Sequence, residues 1–413
     1  MRTVNRKRLL SGIGVVLAAS LLAVGTARAD VVTDQAAGLL ILPKLVFDDS
    51  AATDTEIQLS NTSDQQIAVR CFYVNANSHC SNRPDFVCET SADCLLPGSN
   101  GLCLPGWQEI DFHFELTARQ PIIWKVSEGL PFFPLDGANR ISPTNTFNQD
   151  SAIPPAPEQP FKGELKCFEV GDDDQPIAAN DLKAEVTIVR AAEPDDAFPI
   201  DARAYNGIGI KAKDFAAGDQ PPDTLILGEG GGYNGCPNLL ILDHFFEDAI
   251  VFAEEGNANT AYVRSDITFV PCSEDFVLQS AALFETKLQF LVYNEFEQRF
   301  STSTGVECFR EIPLSDIDTR PRPRFDTDAS DTGDKFSIFN IAVQGTLTGQ
   351  TRIRAVDDGS ETHGNGVVAV AEEFHRIDPN NLASVRASAA YQVDHDGERA
   401  DQDIIRVPPA TFP

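Results

Sequence analysis

The sequence predicts an all-β protein made of antiparallel, immunoglobulin-like β-sandwich modules that are stapled by disulfides and contain few short helices. Apolar and polar residues alternate over many short segments, which is the period of a strand with one buried face. Clusters of Asn, Asp, Gly and Ser separate these segments, and the chain contains 26 Pro and 28 Gly. Such punctuation is typical of strands joined by turns.

Strands are predicted, in chain order, at residues 39–47, 55–59, 67–74, 110–116, 185–189, 267–270, 287–293 and 342–347. Residues 245–255 and 276–285 could form short helices. We divide the chain into a signal at residues 1–29, a sandwich module at 30–195 and a second β-rich module at 196–413. A stretch rich in Pro, Gly, Asn and Ser at residues 129–162 predicts a long surface connection.

The first 29 residues predict an export signal. Basic residues precede an apolar run at residues 9–25, and Ala27-Arg28-Ala29 has the small-residue pattern that a signal peptidase accepts. A membrane anchor is the alternative, although the run is short for a full span. We therefore expect cleavage before Asp30, no integral membrane span afterwards, and a location in the periplasm, at the cell surface or outside the cell.

Acidic residues strongly outnumber basic ones, with 62 Asp and Glu against 32 Lys and Arg. Loss of the five basic residues in the signal changes the net charge from −30 to −35. This excess disfavours nucleic acid and anionic membranes as partners, because both attract clustered Lys and Arg. No haem is expected, since the mature chain has no Met and no C-x-x-C-H motif. No nucleotide is expected either, because Cys236-Pro237 follows the glycine-rich residues 230–235 where a helix would have to begin.

Nine cysteines in an exported chain predict disulfides rather than metal thiolates. The disulfide candidates are Cys71, Cys80, Cys88, Cys94, Cys103, Cys167, Cys236, Cys272 and Cys308. Four of them crowd the loop at residues 78–106, which predicts two local bridges. Bridges among the other five would close long loops and tie the modules together. Because nine is odd, one thiol stays unpaired or bonds another chain, and the spacing leaves the connectivity open.

A Cys-Phe pair recurs at residues 71–72, 167–168 and 308–309, and we expect each pair in a strand. Asn61 and Asn294 follow the strands that precede the first and third pairs. A strand, an Asn-led turn and a second strand with an inward Cys are typical of immunoglobulin-like sandwiches. Chance recurrence in a β-rich chain is the alternative.

The segments at residues 54–61, 71–74, 160–167 and 293–303 resemble an uncharacterised family of exported bacterial proteins. That family has no assigned activity, so the resemblance implies export and a β-rich fold. Residues 39–126 are similar, more distantly, to the first sandwich domain of periplasmic pilus chaperones. The basic cleft residues of those chaperones have no recognisable counterpart here, so the resemblance does not imply a chaperone role.

Two acidic, glycine-containing segments predict calcium sites, because short D-x-D loops offer several oxygen ligands within one turn. The candidate ligands are Asp326, Asp328, Asp331 and Asp334 in the first segment, and Asp394, Asp396 and Asp401 in the second. Solvated acidic turns are the alternative. Histidines within residues 244–247, 373–375 and 394–396 could bind zinc or manganese, with solvated polar faces as the alternative.

No catalytic residues are assigned, since G-x-S-x-G is absent and carboxylate pairs occur everywhere by chance. Glu295 and Glu297 could share one strand face and act on a sugar, or form a solvated edge. The sequence therefore predicts an exported, non-enzymatic envelope or extracellular protein that is adhesive or ligand-binding. Its partner would be an envelope component or a glycan, and its oligomeric state is open. A carbohydrate-active enzyme on a β scaffold is the alternative.

Overall fold

Antiparallel strands make up nearly all regular structure in the computed structural model, which confirms the predicted all-β fold. The described residues are 31–88, 91–104, 108–130, 153–192, 199–216, 220–251, 261–278, 285–318, 320–321, 335–356, 364–378 and 384–409. Residues Val31–Pro413 group by their contacts into one compact unit. The predicted export signal lies outside the described residues.

The first fifteen strands are β1 (Val31–Val32), β2 (Leu39–Phe47), β3 (Thr53–Asn61), β4 (Ile67–Asn75), β5 (Ser78–Cys80), β6 (Arg83–Cys88), β7 (Leu95–Leu96), β8 (Ser99–Asn100), β9 (Cys103–Leu104), β10 (Gln108–Leu116), β11 (Pro121–Lys125), β12 (Phe161–Val170), β13 (Leu182–Ala191), β14 (Pro199–Asn206) and β15 (Ile208–Ile210). The others are β16 (Thr224–Gly228), β17 (Leu239–Phe245), β18 (Ala249–Val251), β19 (Ala261–Pro271), β20 (Glu274–Asp275), β21 (Thr286–Asn294), β22 (Arg299–Val306), β23 (Arg310–Pro313), β24 (Arg320–Pro321), β25 (Lys335–Phe336), β26 (Thr348–Val356), β27 (Val367–Arg376), β28 (Val385–Gln392), β29 (Asp394–His395) and β30 (Gln402–Arg406). A 3-10 turn at Leu314–Asp316 and helix α1 at Ile341–Gln344 interrupt them. Within the described part of the chain, no helix has the length and apolar character needed to cross a membrane.

Sheets I and II form the first sandwich. Sheet I has the strand order β1-β15-β2-β12-β4-β10, and sheet II has the order β11-β3-β13-β14. Their facing side chains pack into one apolar core that includes Leu42, Leu59, Tyr73, Phe114 and Val186. This arrangement matches the predicted alternation, because each strand of sheet II turns every second side chain into the core.

The central strands of sheet I, β2, β12 and β4, are buried on both faces. On β2, Leu40 and Leu42 belong to the sandwich core, while Leu39 and Ile41 belong to a second core on the other face. Sheet III, with the order β16-β30-β20, contributes residues such as Leu227 to that second core. A strand covered on both faces has a continuous apolar sequence, which explains why β2 shows little alternation.

Sheets IV and V form the second sandwich. Sheet IV has the order β22-β21-β26-β17-β29, and sheet V has the order β18-β19-β27-β28 with β23 paired to β19. Their shared core includes Leu242, Phe269, Phe290, Ile353 and Ala369. Strands β14 and β15 follow residue 195 yet pair within sheets II and I, so the first sandwich extends beyond that position. The two predicted domains stay a prediction.

Four disulfides pair eight of the nine cysteines, namely Cys71–Cys167, Cys80–Cys94, Cys88–Cys103 and Cys236–Cys272. Cys71 and Cys167 lie directly opposite each other on β4 and β12, with 4.1 Å between their Cα atoms. The two local bridges confirm the prediction for the cysteine-rich loop, of which residues 105–106 lie outside the described part. Cys308 is buried and unpaired. Each long bridge stays within one half of the chain, so the expectation that they tie the modules together is wrong.

Three local predictions are wrong. Residues 342–347, predicted as a strand, begin inside helix α1, because the Asn340 side chain accepts from the Ala342 amide and Gly345 ends the helix with φ 68°. Residues 245–255 are predicted as a helix, but the described part of this segment contains the last residue of β17 and the whole of β18. Pairing of β18 with β19 overrides the local pattern. Cys308 follows β22 in a bend rather than lying in a strand. Only residues 276–278 of the other predicted helix are described, and they form a turn.

Asp403 on β30 is a fully buried acid. Its Oδ1 accepts from the Ser273 hydroxyl (2.9 Å) and the Gly366 amide (3.0 Å). Among the described residues, no donor reaches its Oδ2. Burial raises the pKa of Asp403 to about 6, because the ionised form loses its hydration.

We expect the Cys71→Ala/Cys167→Ala variant to lose about 2–5 kcal/mol of unfolding free energy, because this bridge closes a long loop between central strands. The Cys80→Ala/Cys94→Ala variant is the control and should lose less, since its bridge closes a short surface loop. Urea denaturation measures both changes. An unchanged midpoint in the first variant would contradict the pairing.

We expect Asp403→Asn to gain stability relative to the wild type as pH rises from about 4 to about 7, by about 3 kcal/mol in total. Because its pKa is raised, Asp403 keeps its proton in the folded protein at a pH where the unfolded chain releases it. The stability that this proton gives the wild type is lost as the pH rises through about 6, whereas residue 403 of the variant does not titrate. Burial lowers the pKa of His244, so this residue makes the protein more stable as the pH rises. The variant is therefore compared with the wild type at each pH. The exposed Asp49→Asn is the control in urea denaturation, and a pH-independent difference for Asp403→Asn would refute the assignment.

Candidate functional site

Polar side chains lie in register on the outer face of sheet IV. Across β21, β26 and β17, the rows of this outer face are Tyr293, Gln350 and Asp243; Leu291, Arg352 and Ile241; and Gln289, Arg354 and Leu239. The alternate residues of the same strands, such as Phe290 and Ile353, fill the core. Strand β22 adds Ser301 and Ser303 beside the second and third rows.

Two arginines stand on this face and are oriented by carboxylates that follow β29. Arg354 donates to Glu398 through Nη1 (2.6 Å) and Nη2 (3.0 Å), and Arg352 Nη1 lies 3.5 Å from Asp396 Oδ2. A two-point contact fixes the plane of a guanidinium, so Arg354 is preorganised. Among the described residues, the Nε of each arginine has no acceptor. The depression around these arginines has a volume of 780 Å³.

A cleft of 550 Å³ adjoins the depression, and Tyr293 lines both. Gln350 Nε2 donates to Asp243 Oδ1 (3.0 Å) on the cleft wall. The Tyr391 hydroxyl of sheet V lies 3.2 Å from the Asp243 carbonyl oxygen of sheet IV and 3.3 Å from Glu373 Oε1, so it joins sheet V to this cleft. The depression and the cleft therefore meet at Tyr293 on sheet IV.

Two carboxyl groups in the cleft have opposite environments. Burial raises the pKa of Glu373 above its usual value. The hydroxyl and the amide of Thr348 donate to Glu295 Oε1 at 2.7 Å and 3.1 Å, and they lower the pKa of Glu295. One carboxyl with a raised pKa and one with a lowered pKa in the same cleft are the combination that glycoside hydrolysis uses.

The predicted pairing of Glu295 with Glu297 on one strand face is wrong. Strand β21 ends at Asn294, whose Oδ1 accepts from the amides of Phe296 and Gln298, both at 3.0 Å. These bonds form a turn, and Glu297 has φ 60° within it. The residues therefore follow a tight bend instead of the two-residue repeat of a strand.

The other Asn of the sequence pattern also caps a turn. Asn61 ends β3, and its Oδ1 accepts from the Ser63 amide (2.8 Å). Both Asn61 and Asn294 are buried, because their side chains replace backbone partners that the turns lack. The chain continues differently in the two places, since β4 crosses to sheet I whereas β22 returns as a hairpin within sheet IV.

His244 is a core residue rather than a metal ligand. Its Nδ1–H donates to the Phe245 carbonyl (3.0 Å), and its Nε2 accepts from the Thr351 hydroxyl (2.8 Å). Burial lowers the pKa of His244 to about 4, so the ring is neutral at neutral pH. Both ring nitrogens are occupied, which contradicts the metal interpretation of residues 244–247.

The acidic calcium candidates lie apart or outside the described residues. Asp326, Asp328, Asp331 and Asp334 all fall outside the described part. Asp394 pairs with Ile241 on β17, Asp396 faces Arg352, and Asp401 follows in the turn before β30. Within the described ranges, the one group of three ligand atoms closer than 4.8 Å is Cys80, Cys88 and Cys94, and all three are in disulfides. Calcium binding stays a prediction.

The residues of the outer face are not among those predicted from the sequence. The alternation of Gln350, Arg352 and Arg354 with Thr351, Ile353 and Ala355 was the available signal, and it indicates one polar and one apolar strand face. That signal does not identify which strands lie beside β26. The polar surface exists because pairing with β21 and β17 aligns the three strands.

No protein-family model matches the chain, and no curated protein matches it. Among solved structures, it is similar to the CupB6 tip adhesin from Pseudomonas aeruginosa, with 10% identity and a TM-score of 0.13 over 89% of this chain and 93% of that one. It is also similar to the infectious bursal disease virus Gx strain structure, with 8% identity and a TM-score of 0.15 over 92% of this chain and 75% of that one. At these TM-scores neither likeness supports a statement about fold or function.

We expect calcium to raise the melting temperature at fixed ionic strength and a chelator to lower it, because a ligand of the folded state stabilises it by mass action. Asp328→Asn and Asp396→Asn should each remove part of this shift, because each aspartate is a candidate ligand. Differential scanning calorimetry measures the shifts. A melting temperature that responds to neither calcium nor chelator would show that both segments are acidic turns.

Proposed function

We propose that the protein is exported and acts as a non-enzymatic glycan-binding protein, with the outer face of sheet IV as its binding surface. The observation that carries this proposal is the register of Gln289, Arg352 and Arg354 beside Tyr293 on adjacent strands. Rigid sheet positions hold these groups without the loss of conformational entropy that a loop would incur on binding.

The chemistry of the face fits a hydroxylated ligand. Planar amide and guanidinium groups can each bond two neighbouring hydroxyls, and Ser301 and Ser303 add groups that both donate and accept. Tyr293 adds an aromatic surface with a polar tip, which suits a ring that is apolar on one side. Asp396 and Glu398 balance the two arginines, so a neutral glycan meets little opposing charge.

Export is supported by two independent features. The first 29 residues have the pattern of a secretory signal. Four disulfides among the described residues are typical of proteins that fold in an oxidising compartment. We place the protein in the periplasm, at the cell surface or outside the cell, where polysaccharides of the envelope are available.

A second candidate function is glycoside hydrolysis in the adjoining cleft. The opposite pKa shifts of Glu373 and Glu295 favour it, with Glu373 as the proton donor and Glu295 as the ionised carboxylate. Tyr293 would then hold the sugar at both the cleft and the depression.

We expect the mature protein to bind members of a glycan array, and we expect Arg352→Ala and Tyr293→Ala each to weaken binding at least about tenfold, or about 1.4 kcal/mol. The control is Arg386→Ala, an exposed arginine on β28 of sheet V. Affinities are measured by titration calorimetry on the array hits. Wild-type affinity in both variants would refute the assigned face.

The samples from the binding measurements are also analysed for released sugar. The non-enzymatic proposal expects none. Sugar release that disappears in Glu373→Gln while binding remains would overturn that proposal and establish the hydrolytic one. Release that persists in Glu373→Gln would refute both the non-enzymatic proposal and the assignment of Glu373.

A further inference from the structure

A buried lysine lies between two buried carboxyl groups where sheets I and III meet. Lys166 Nζ lies 2.7 Å from Glu164 Oε2 on the same strand and 2.5 Å from Glu274 Oε2 on β20. The three side chains are at most 1% exposed. We call these residues the Lys166 triad.

The surroundings of the triad are apolar and aromatic. Phe276 lies with its ring centre 6.0 Å from Lys166 Nζ, and it stacks on Phe72 at 4.9 Å. Among the described residues, no donor reaches Oε1 of Glu164 or Oε1 of Glu274. Buried polar atoms without partners are rare in folded proteins, so two in one ion cluster require an explanation.

The charges of the triad do not balance unless one carboxyl keeps a proton. Burial and the neighbouring Glu164 raise the pKa of Glu274 well above its usual range. Burial by itself lowers the pKa of Lys166, but the two carboxylates outweigh it and raise that pKa. With its charges balanced, the triad consists of an ammonium, a carboxylate and a carboxylic acid in contact and away from water.

These are the reactants of an amide condensation held at contact distance. A nitrogen in contact with a carboxyl oxygen lies near the attack distance of roughly 3–3.5 Å from the carboxyl carbon, and such alignment gives very high effective concentrations. Exclusion of water opposes hydrolysis of the product. Burial also favours a neutral amide over a charged pair, because buried charges lose their hydration.

We propose that Lys166 and Glu274 condense to an intramolecular isopeptide bond, with Glu164 as the proton carrier. Glu164 first accepts a proton from the Lys166 ammonium, and the free amine attacks Cδ of Glu274. Glu164 donates its proton to the departing hydroxyl and accepts the second proton of the nitrogen. The Nζ–Cδ bond forms, the Cδ–OH bond breaks and one water leaves, with no oxidation or reduction. Glu164 ends as a neutral acid that can donate to the new carbonyl.

A second buried lysine provides an internal comparison. Lys44 contacts Glu311 (2.6 Å) and Glu372, but Arg203 also contacts Glu372. Two cations therefore face two carboxylates, and the charges balance without a shared proton. The Glu311 side chain is also 27% exposed, so water reaches this cluster. We expect Lys44 to stay an ion pair.

The bond would link β12 of sheet I to β20 of sheet III across 108 residues of sequence. It would join the first sandwich covalently to the sheet that covers its outer face. Such a link survives reduction of the disulfides, so it would hold the two parts of the chain together in either redox state. A surface protein that bears load while bound would benefit from that connection.

The test is mass spectrometry of the wild-type mature protein after denaturation and reduction. We expect an intact mass below that of its sequence by one water, not two. Trypsin should fail to cleave after Lys166 and should release a branched peptide that joins this residue to the peptide containing Glu274. An intact mass equal to that of the sequence, with normal cleavage after Lys166, would overturn the proposal without any variant.

Two variants test the assigned roles. Glu164→Gln retains both bonded residues but removes the proton carrier, so we expect its mass to match its own sequence. Lys44→Met is the matched control and should still lack one water. A mass deficit of one water that persists in Glu164→Gln would refute the role of Glu164. If the deficit disappears in Lys44→Met, Lys166 is not the lysine that forms the bond.

Discussion

Burial of the central strands of sheet I on both faces is the constraint on which the rest of the structure depends. One face requires sheet II, and the other requires cover that the N-terminal half of the chain does not contain. Sheet III supplies the apolar part of that cover, through strands contributed by residues 224–228, 274–275 and 402–406. Strand β30, the last strand among the described residues, therefore completes a core that begins at Val31, which explains why these residues form one compact unit.

The second face of sheet I also carries charge, and the charged groups determine what can pack there. Lys44 and Lys166 project from neighbouring strands of sheet I and need carboxylates, since an unpaired buried ammonium is very unfavourable. Glu372 of sheet V meets one lysine and Glu274 of sheet III meets the other. Apolar packing and ion contacts thus select the same arrangement of the two halves.

The candidate site follows from what this packing leaves uncovered. Sheet V is packed between sheet IV and the contacts with sheet I, so the outer face of sheet IV remains available to solvent. A sheet with one buried face carries polar residues on the other, which is why Arg352 and Arg354 alternate with core residues. The cleft beside them depends on sheet V reaching the end of sheet IV, where the Tyr391 hydroxyl lies 3.2 Å from the Asp243 carbonyl oxygen.

Much of the fold could be predicted from local sequence patterns, because the two-residue repeat and turn residues act over a few positions. Residues 39–47 and 110–116 are strands as predicted, and the crowded cysteines form local bridges since short loops leave few alternatives. Predictions failed where distant partners override local preference, as at residues 245–251, which pair with β19. The predicted strand face of Glu295 and Glu297 failed for a local reason, because the buried side chain of Asn294 holds both residues in a turn.

The sequence by itself determined the all-β class, the acidic charge, the cysteine-rich loop and the two Asn-led turns, since each depends on neighbouring residues or composition. Only the tertiary structure decided which cysteine remains free, which strands align Gln289, Arg352 and Arg354, and which carboxyls meet Lys166. These features join residues that are far apart in the chain. Strand register sets them, and register depends on the packing of whole sheets rather than on any local pattern.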